Sequence, residues 1–178
     1  MRTVSKKMKL ILLLMVMMFA VMPVQAATTA PAKVVTAAKH CVNENNKCIV
    51  IDQGANKMYV MFKKSGKWTL VKSFRCVCGD YINPKCHYFL LRNKDTDKKS
   101  WKEGKLRWKY GMYVDCYEDA PMREMRIKSY VQKYNCKTKK WTTKKDGVSN
   151  NFGWAVCEDN AKWLYENCKN GTAVMSVN

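Results

Sequence analysis

From residue 47 the hydrophobic positions come in short β-branched and aromatic runs. The first three are "KCIVID", "NKMYVMFKK" and "KWTLVKSFRCVC", separated by "GANK" and "SG". Runs of this length bounded by Gly, Asn and Ser predict strands joined by hairpin turns. "CHYFLLR", after "GDYINP", predicts a fourth. In "KLRWKYGMYVDCY" the period of two is strict. Leu106, Trp108, Tyr110, Met112 and Val114 fall on one face, and Lys105, Arg107 and Lys109 on the other. That alternation predicts one half-buried strand of a mostly antiparallel sheet. Its Lys/Arg/Trp interleaving is read as one wet and one packed face, not as a nucleic-acid surface.

The period changes near the C-terminus. "EDNAKWLYENCKNG" has acidic residues in its first turn, a stripe of Ala161, Leu164 and Cys168, and Gly171 at its stop. These features predict a helix, and "TAVMSV" predicts a closing strand. Asn170-Gly171-Thr172 matches a glycosylation sequon, but Asn-Gly after a helix is read as a turn. Residues 118–151, "EDAPMREMRIKSYVQKYNCKTKKWTTKKDGVSNN", are basic and carry no period, which predicts long irregular connections with Cys136 as a staple. The expected fold is mainly β (α+β) with one helix, stapled by disulfides.

The N-terminal part follows different rules. Arg2, Lys6, Lys7 and Lys9 precede an apolar run of 13 residues, and "VQA" ends at Ala26. A bilayer takes about 20 apolar residues to span, so residues 1–26 read as a cleaved signal peptide. No lipid anchor and no transmembrane anchor after cleavage are expected. Residues 27–45, "ATTAPAKVVTAAKH" and its continuation, are Ala/Thr-rich and predict a tether. Residues 46–178 are read as the domain, and the 152 residues left after cleavage suit one core.

Charge and cysteines narrow the chemistry. The first 26 residues hold four of the 33 basic residues and none of the 14 acidic ones, so the mature chain carries 29 against 14, a net +15. Such an excess favours anionic partners. Outside the cell these are peptidoglycan, anionic wall polymers, lipid headgroups or released nucleic acid; no specific nucleic acid is expected. All nine cysteines (Cys41, Cys48, Cys76, Cys78, Cys86, Cys116, Cys136, Cys157 and Cys168) lie in the mature chain. An oxidising compartment makes them disulfide candidates, and an odd number leaves at least one thiol free or paired between chains. Cys41 and Cys48 are placed to tie down the end of the tether. Cys76-x-Cys78 with Cys86-His87 has only faintly metal-like spacing, and no metal or cofactor is expected.

The ordered series of segments resembles a known family. "AKWLYENCKNGTAVMSV" is similar to the C-terminal end of the L,D-transpeptidase catalytic domain, where a helix follows the catalytic loop and Gly-Thr leads into a last strand. The run from "IVIDQGANKMYV" to "CHYFLLRNKD" is similar to the family's first strands. Asn83-Pro84-Lys85-Cys86-His87-Tyr88 stands where the family has Thr-Pro-x-Gly-x-Phe, and "GMYVDCY" resembles the strand that carries Phe-His-Ser. The resemblance spans essentially the whole mature domain and implies the family's mixed β-sheet sandwich or barrel, with one helix after the catalytic-loop position. It implies a family chemistry in which a Ser-x-Gly-Cys-x-Arg loop supplies a thiolate that takes an acyl group from a peptidoglycan stem peptide. A histidine then acts as base and backbone N–H groups steady the oxyanion.

Anchored on Ala161-Lys162-Trp163, that pattern is degenerate here. The family cysteine falls on Gly153, its arginine on Ala155, the preceding glycine on Phe152 and the loop histidine on Asn151. The strand histidine falls on Asp115 and the Pro-x-Gly glycine on Cys86. The chain's two histidines, His40 and His87, match no catalytic position. Cys157, four residues beyond the expected place, is the fallback nucleophile, since a helix N-terminus favours a thiolate. Cys116 is disfavoured by the adjacent Asp115.

Three readings follow. One is an exported L,D-transpeptidase-like wall protein that has lost the catalytic Cys and His. A second is an active transpeptidase using Cys157. The third is a secreted basic disulfide-rich protein that binds polyanions or membranes.

Overall fold

The structure, a computed structural model, describes residues 29–41, 45–79, 88–94, 101–103, 106–116, 125–147, 150 and 153–178, with 101–103 and 116 described by backbone alone. The signal-peptide segment, Asn83 to His87 with Cys86, Asn151 and Phe152 lie outside the described residues.

Two helices and thirteen strands are present among them. The helices are α1 (Ala32–Lys39) and α2 (Glu158–Asn167). The strands are β1 (Lys47–Asp52), β2 (Lys57–Lys64), β3 (Lys67–Arg75), β4 (Val77–Cys78), β5 (Tyr88–Lys94), β6 (Trp101–Glu103), β7 (Leu106–Trp108), β8 (Met112–Cys116), β9 (Met125–Ser129), β10 (Gln132–Asn135), β11 (Lys140–Thr143), β12 (Gly153–Val156) and β13 (Ala173–Val177).

Nine strands form one mixed sheet in the order β3-β2-β1-β13-β5-β8-β9-β12-β4. Its two edge strands, β3 and β4, are consecutive in the chain and separated by Cys76 alone. The sheet therefore curls back on itself into a nearly closed barrel, which removes most of the open edge that a flat sheet exposes. Two pairings are parallel, β1 with β13 and β12 with β9, and the other neighbours are antiparallel, so the sheet is mixed and mostly antiparallel, as expected. A second, antiparallel sheet has the order β11-β10-β7-β6.

The hairpin turns follow from local chemistry. Ser65 and Gly66 both have positive φ, 49° and 79°, the backbone that a two-residue turn matched to strand twist requires. Asp52 Oδ1 accepts the N–H of Ala55 at 3.0 Å, and Asn56 closes that turn with φ 50°.

β1 is buried on both faces. Ile49 and Ile51 point into the core shared by Phe89, Leu91, Met112, Ile127, Trp154 and α2. Cys48 and Val50 point to a second core formed with Val34, Ala37 and Ala38 of α1. Each fully buried aliphatic side chain contributes about 1.5–3 kcal/mol. The segment read as a tether thus contains a packed helix, and the fold has a second helix besides the expected one. The stripe Ala161, Leu164 and Cys168 is fully buried as expected.

Two sequence expectations are corrected. The run "KLRWKYGMYVDCY" is not one strand. Tyr110 has φ 53°, which interrupts the ladder, so Leu106–Trp108 joins the small sheet and Met112–Cys116 the large one. Residues 118–151 are not irregular throughout, since 125–143 contain β9, β10 and β11. β9 is buried at every position, including Arg126 and Lys128. Its cations lie against aromatic faces. Arg126 stands 4.2 Å from the Tyr113 ring centroid and donates to the Tyr113 hydroxyl at 2.6 Å, and Lys128 lies 4.6 Å from the Trp108 centroid. Buried cations are tolerated in such settings, and they hide the strand from a reading that looks for apolar runs.

Candidate functional site

The chain leaves β12 through Cys157 and enters α2, so Cys157 stands at the N-terminal end of that helix, exposed. Beside it is a cavity of about 180 Å³, where the small sheet, the end of β9 and the head of α2 meet. Arg107, Lys109, Tyr130, Lys145, Cys157 and Glu158 are among its lining. Lys109 Nζ pairs with Glu158 Oε1 at 2.7 Å, and Arg107 Nε donates to Gln132 Oε1 at 2.6 Å. Burial, and next the proximity of Cys157, pushes the Tyr130 phenol above its ordinary value, so it remains a protonated donor at neutral pH. Among the described residues the lining contains no histidine and one carboxylate, Glu158.

The wall of this cavity is held by Asn150, which is fully buried. Its Oδ1 accepts the N–H of Val131 at 2.9 Å, and its Nδ2 donates to the carbonyls of Lys144 and Asp146, each at 2.9 Å. Sequence reasoning missed this residue. Its only trace was an Asn-Asn pair in a polar loop, indistinguishable from solvated loop chemistry.

The structure places the predicted site residues as follows. Gly153 is buried with φ 134°, paired in register with Arg126 of the parallel strand β9. A Cβ at this position meets the Arg126 carbonyl oxygen at 2.0 Å and its nitrogen at 2.7 Å. Its own carbonyl accepts the N–H of Gly79 at 2.8 Å. Ala155 is fully buried between Lys128 of β9 and Val77 of β4. Asp115 forms an ion pair with Arg92 at 3.0 Å. His40 caps the end of α1 and lines a different cleft, with Lys33 and the end of β13. Asp115 and His40 are absent from the lining of the Cys157 cavity.

The described cysteines Cys41, Cys48, Cys76, Cys78, Cys136, Cys157 and Cys168 are thiols, so the expected stapling by disulfides is not seen among them. Two pairs are nevertheless adjacent. Cys41 and Cys48 share a hydrogen bond in the α1 core, which together with burial raises the Cys48 thiol. Cys76 and Cys78 share another at the barrel seam, which lowers Cys78 and raises Cys76. Cys168 is core filler, its thiol pushed up by burial to about 11. Cys136 is exposed on the β10–β11 turn. Cys116 is described by backbone alone, opposite Phe89.

No family model matches the chain, and no curated protein does. Solved structures do. One is a fused Zn-dependent amidase/peptidase/peptidoglycan-binding domain-containing protein from Clostridium acetobutylicum, at TM-score 0.56 and 17% identity over 82% of this chain and 59% of that one. A second is Bd1075 from Bdellovibrio bacteriovorus, at TM-score 0.56 and 12% identity over 77% of this chain and 50% of that one. A third is an L,D-transpeptidase from Stackebrandtia nassauensis, at TM-score 0.49 and 12% identity over 78% and 59%.

L,D-transpeptidases are among its structural neighbours.

At these identities the likeness is one of fold. The chain spans about half to three-fifths of the length of the solved chains it matches. On the L,D-transpeptidase pattern read from the sequence, the described loop and strand positions carry a buried glycine, a buried alanine and an ion-paired aspartate.

Proposed function

We propose that this chain is an exported L,D-transpeptidase-like protein of the cell wall that binds peptidoglycan without the family's acyl transfer. The observation that carries this reading is Gly153. A nucleophilic cysteine needs a Cβ, and at this position a Cβ lies 2.0 Å from the Arg126 carbonyl oxygen. Ala155 supports it, because the position where the resemblance puts the family's arginine is a fully buried alanine between Lys128 and Val77. Residues 1–26 act as the signal peptide, and the excess of basic residues holds the domain on an anionic wall.

The test is incubation of the purified mature chain with a stem tetrapeptide and with a carbapenem, read by intact mass, alongside sedimentation with purified peptidoglycan. Co-sedimentation that weakens with salt, with no added mass, is expected. An acyl adduct at any cysteine, or no co-sedimentation at low salt, overturns the reading.

One observation favours a second reading, that of a transpeptidase with a displaced nucleophile. Cys157 is exposed, begins a helix and lines a cavity that also holds Lys109, Lys145 and the Tyr130 hydroxyl-bearing ring. That reading requires an adduct that Cys157→Ala abolishes.

The disulfide framework is part of the same proposal. Export exposes the chain to an oxidising compartment, and Cys41–Cys48 and Cys76–Cys78 are the pairs whose thiols lie near enough to shift one another's titration. A thiol–disulfide oxidoreductase, itself reduced by two electrons, takes the two protons and two electrons from each pair.

A further inference from the structure

The hairpin of β10 and β11 bears a second concavity, of about 490 Å³, lined by Lys133, Tyr134, Asn135, Cys136, Lys137, Thr142 and Lys144. It shares no lining residue with the Cys157 cavity. Its three lysines face it without a carboxylate in the lining. The surrounding sequence is equally one-sided. From Met125 to Lys145 the chain carries Arg126, Lys128, Lys133, Lys137, Lys139, Lys140, Lys144 and Lys145 and no acidic residue.

The concavity is held in shape by its backbone. Tyr134 pairs with Trp141 and Lys133 with Thr142 across the ladder. Asn135 Oδ1 accepts the N–H groups of Lys137 at 2.9 Å and Thr138 at 3.2 Å, which fixes the turn. The Lys144 N–H donates to the Val131 carbonyl at 2.8 Å, and the Lys144 carbonyl accepts from Asn150. The lysines therefore project from an anchored frame, and the entropy of ordering them falls on the side chains alone.

The chemistry selects among anions. Single-stranded nucleic acids are held by stacking of bases on aromatic faces as well as by charge. Here the rings are already engaged. Tyr134 packs on Trp141 at 5.2 Å between centroids, and the Arg107 guanidinium stands 4.1 Å from the Trp141 centroid. Beside the Tyr134 ring and the Cys136 thiol, the described lining offers ammonium point charges with amide and hydroxyl groups, and no arginine fork. Lysine binds phosphate as a point charge, whereas the bidentate fork that grips a carboxylate or a phosphate in one fixed geometry needs a guanidinium.

We propose that this concavity binds a linear, base-free polymer carrying one phosphodiester per repeat, with Lys133, Lys137 and Lys144 as its contacts. The proposal rests on the reading of a wall-associated chain only for where such a polymer is met. The binding itself is tested with purified polymer, apart from peptidoglycan.

The experiment measures binding of the mature chain to poly(glycerol phosphate), oligothymidylate and polyglutamate over a range of salt. It uses the native chain, the K133Q/K137Q/K144Q variant and a charge-matched K63Q/K64Q/K67Q variant on the exposed β2–β3 hairpin. The K133Q/K137Q/K144Q variant is expected to lose about tenfold or more of its affinity for poly(glycerol phosphate). Its slope of log affinity on log salt should be shallower by roughly two to three, while the control keeps most of both. Lysine-reactive footprinting should show Lys133, Lys137 and Lys144 protected by the polymer. Equal losses in the two variants reduce the effect to net charge and overturn the site. Tighter binding of oligothymidylate or polyglutamate overturns the ligand class. Failure to bind peptidoglycan stripped of phosphate polymer overturns the proposed function and leaves this site standing.

Discussion

Gly153 lies flat against the backbone of Arg126: a Cβ added to it meets the Arg126 carbonyl oxygen at 2.0 Å and the Arg126 nitrogen at 2.7 Å. Its φ of 134° is in addition a backbone region that side chains disfavour. Gly153→Ala is therefore expected to cost about 3 kcal/mol or more, or to prevent folding. Chemical denaturation checks the magnitude. Gly153→Cys, which places a cysteine where the family resemblance puts the nucleophile, should be as unstable and take no acyl group from a carbapenem. A stable, acylated Gly153→Cys chain would refute the argument from space.

Lys33 and Asp52 tie α1 to β1 with an ion pair of 2.8 Å, the carboxylate side being nearly buried. Burial pushes the Asp52 carboxyl up, but hydrogen bonds from Lys33 and the Ala55 N–H outweigh it and hold the group below its ordinary value. A depressed carboxyl stabilises the fold fully above its unfolded value, about 3.9, and loses that contribution as pH falls through the lower folded value. Asp52→Asn is expected to lower stability by about 1–3 kcal/mol at pH 7. The difference from the native chain should shrink on acidification below about pH 4. A difference constant from pH 7 to pH 3 would show that the charge is irrelevant.

Cys41 and Cys48 join the same helix to the same strand from the apolar side. Peptide mapping of the exported, unreduced chain should recover a Cys41–Cys48 cross-linked peptide and leave Cys157 alkylatable. The loop closed by that bond is short, so its loss in a Cys41→Ser/Cys48→Ser chain should cost about 2–3 kcal/mol by the chain-entropy argument. Recovery of both cysteines as alkylated thiols would remove the assignment.

Asn150 satisfies three backbone groups from a fully buried position. Asn150→Ala removes all three side-chain bonds and leaves the Val131 N–H and the Lys144 carbonyl without theirs, while the Asp146 carbonyl keeps the backbone N–H of residue 150 at 3.2 Å, at a cost of about 2–3 kcal/mol. The segment 144–150 should then open before the barrel does, seen as faster tryptic cleavage after Lys144 and Lys145 with little change in far-ultraviolet circular dichroism. Unchanged cleavage would mean that the segment is held by other contacts.

The sequence by itself determined the elements whose energetics are local. The runs "KCIVID", "NKMYVMFKK" and "CHYFLLR" had the composition of strands, Ser65-Gly66 had the chemistry of their turn, and "EDNAKWLYEN" had the acidic start and buried stripe of a helix. Tertiary structure decided what depends on neighbours distant in sequence. β9 escaped a periodicity reading because Arg126 and Lys128 are buried against Tyr113 and Trp108, which lie outside its sequence window. The strand around Trp108 and Val114 looked continuous because alternation survives a backbone reversal at Tyr110 that moves the chain to another sheet. α1 looked like a tether because its few apolar residues, Val34, Ala37 and Ala38, suffice only once β1 and β13 supply the other half of the core. The resemblance read from the sequence puts the family's nucleophile position on Gly153. That no thiol fits there was decided by a parallel strand brought alongside by the closing of the barrel, which puts the Arg126 carbonyl where a Cβ would have to be.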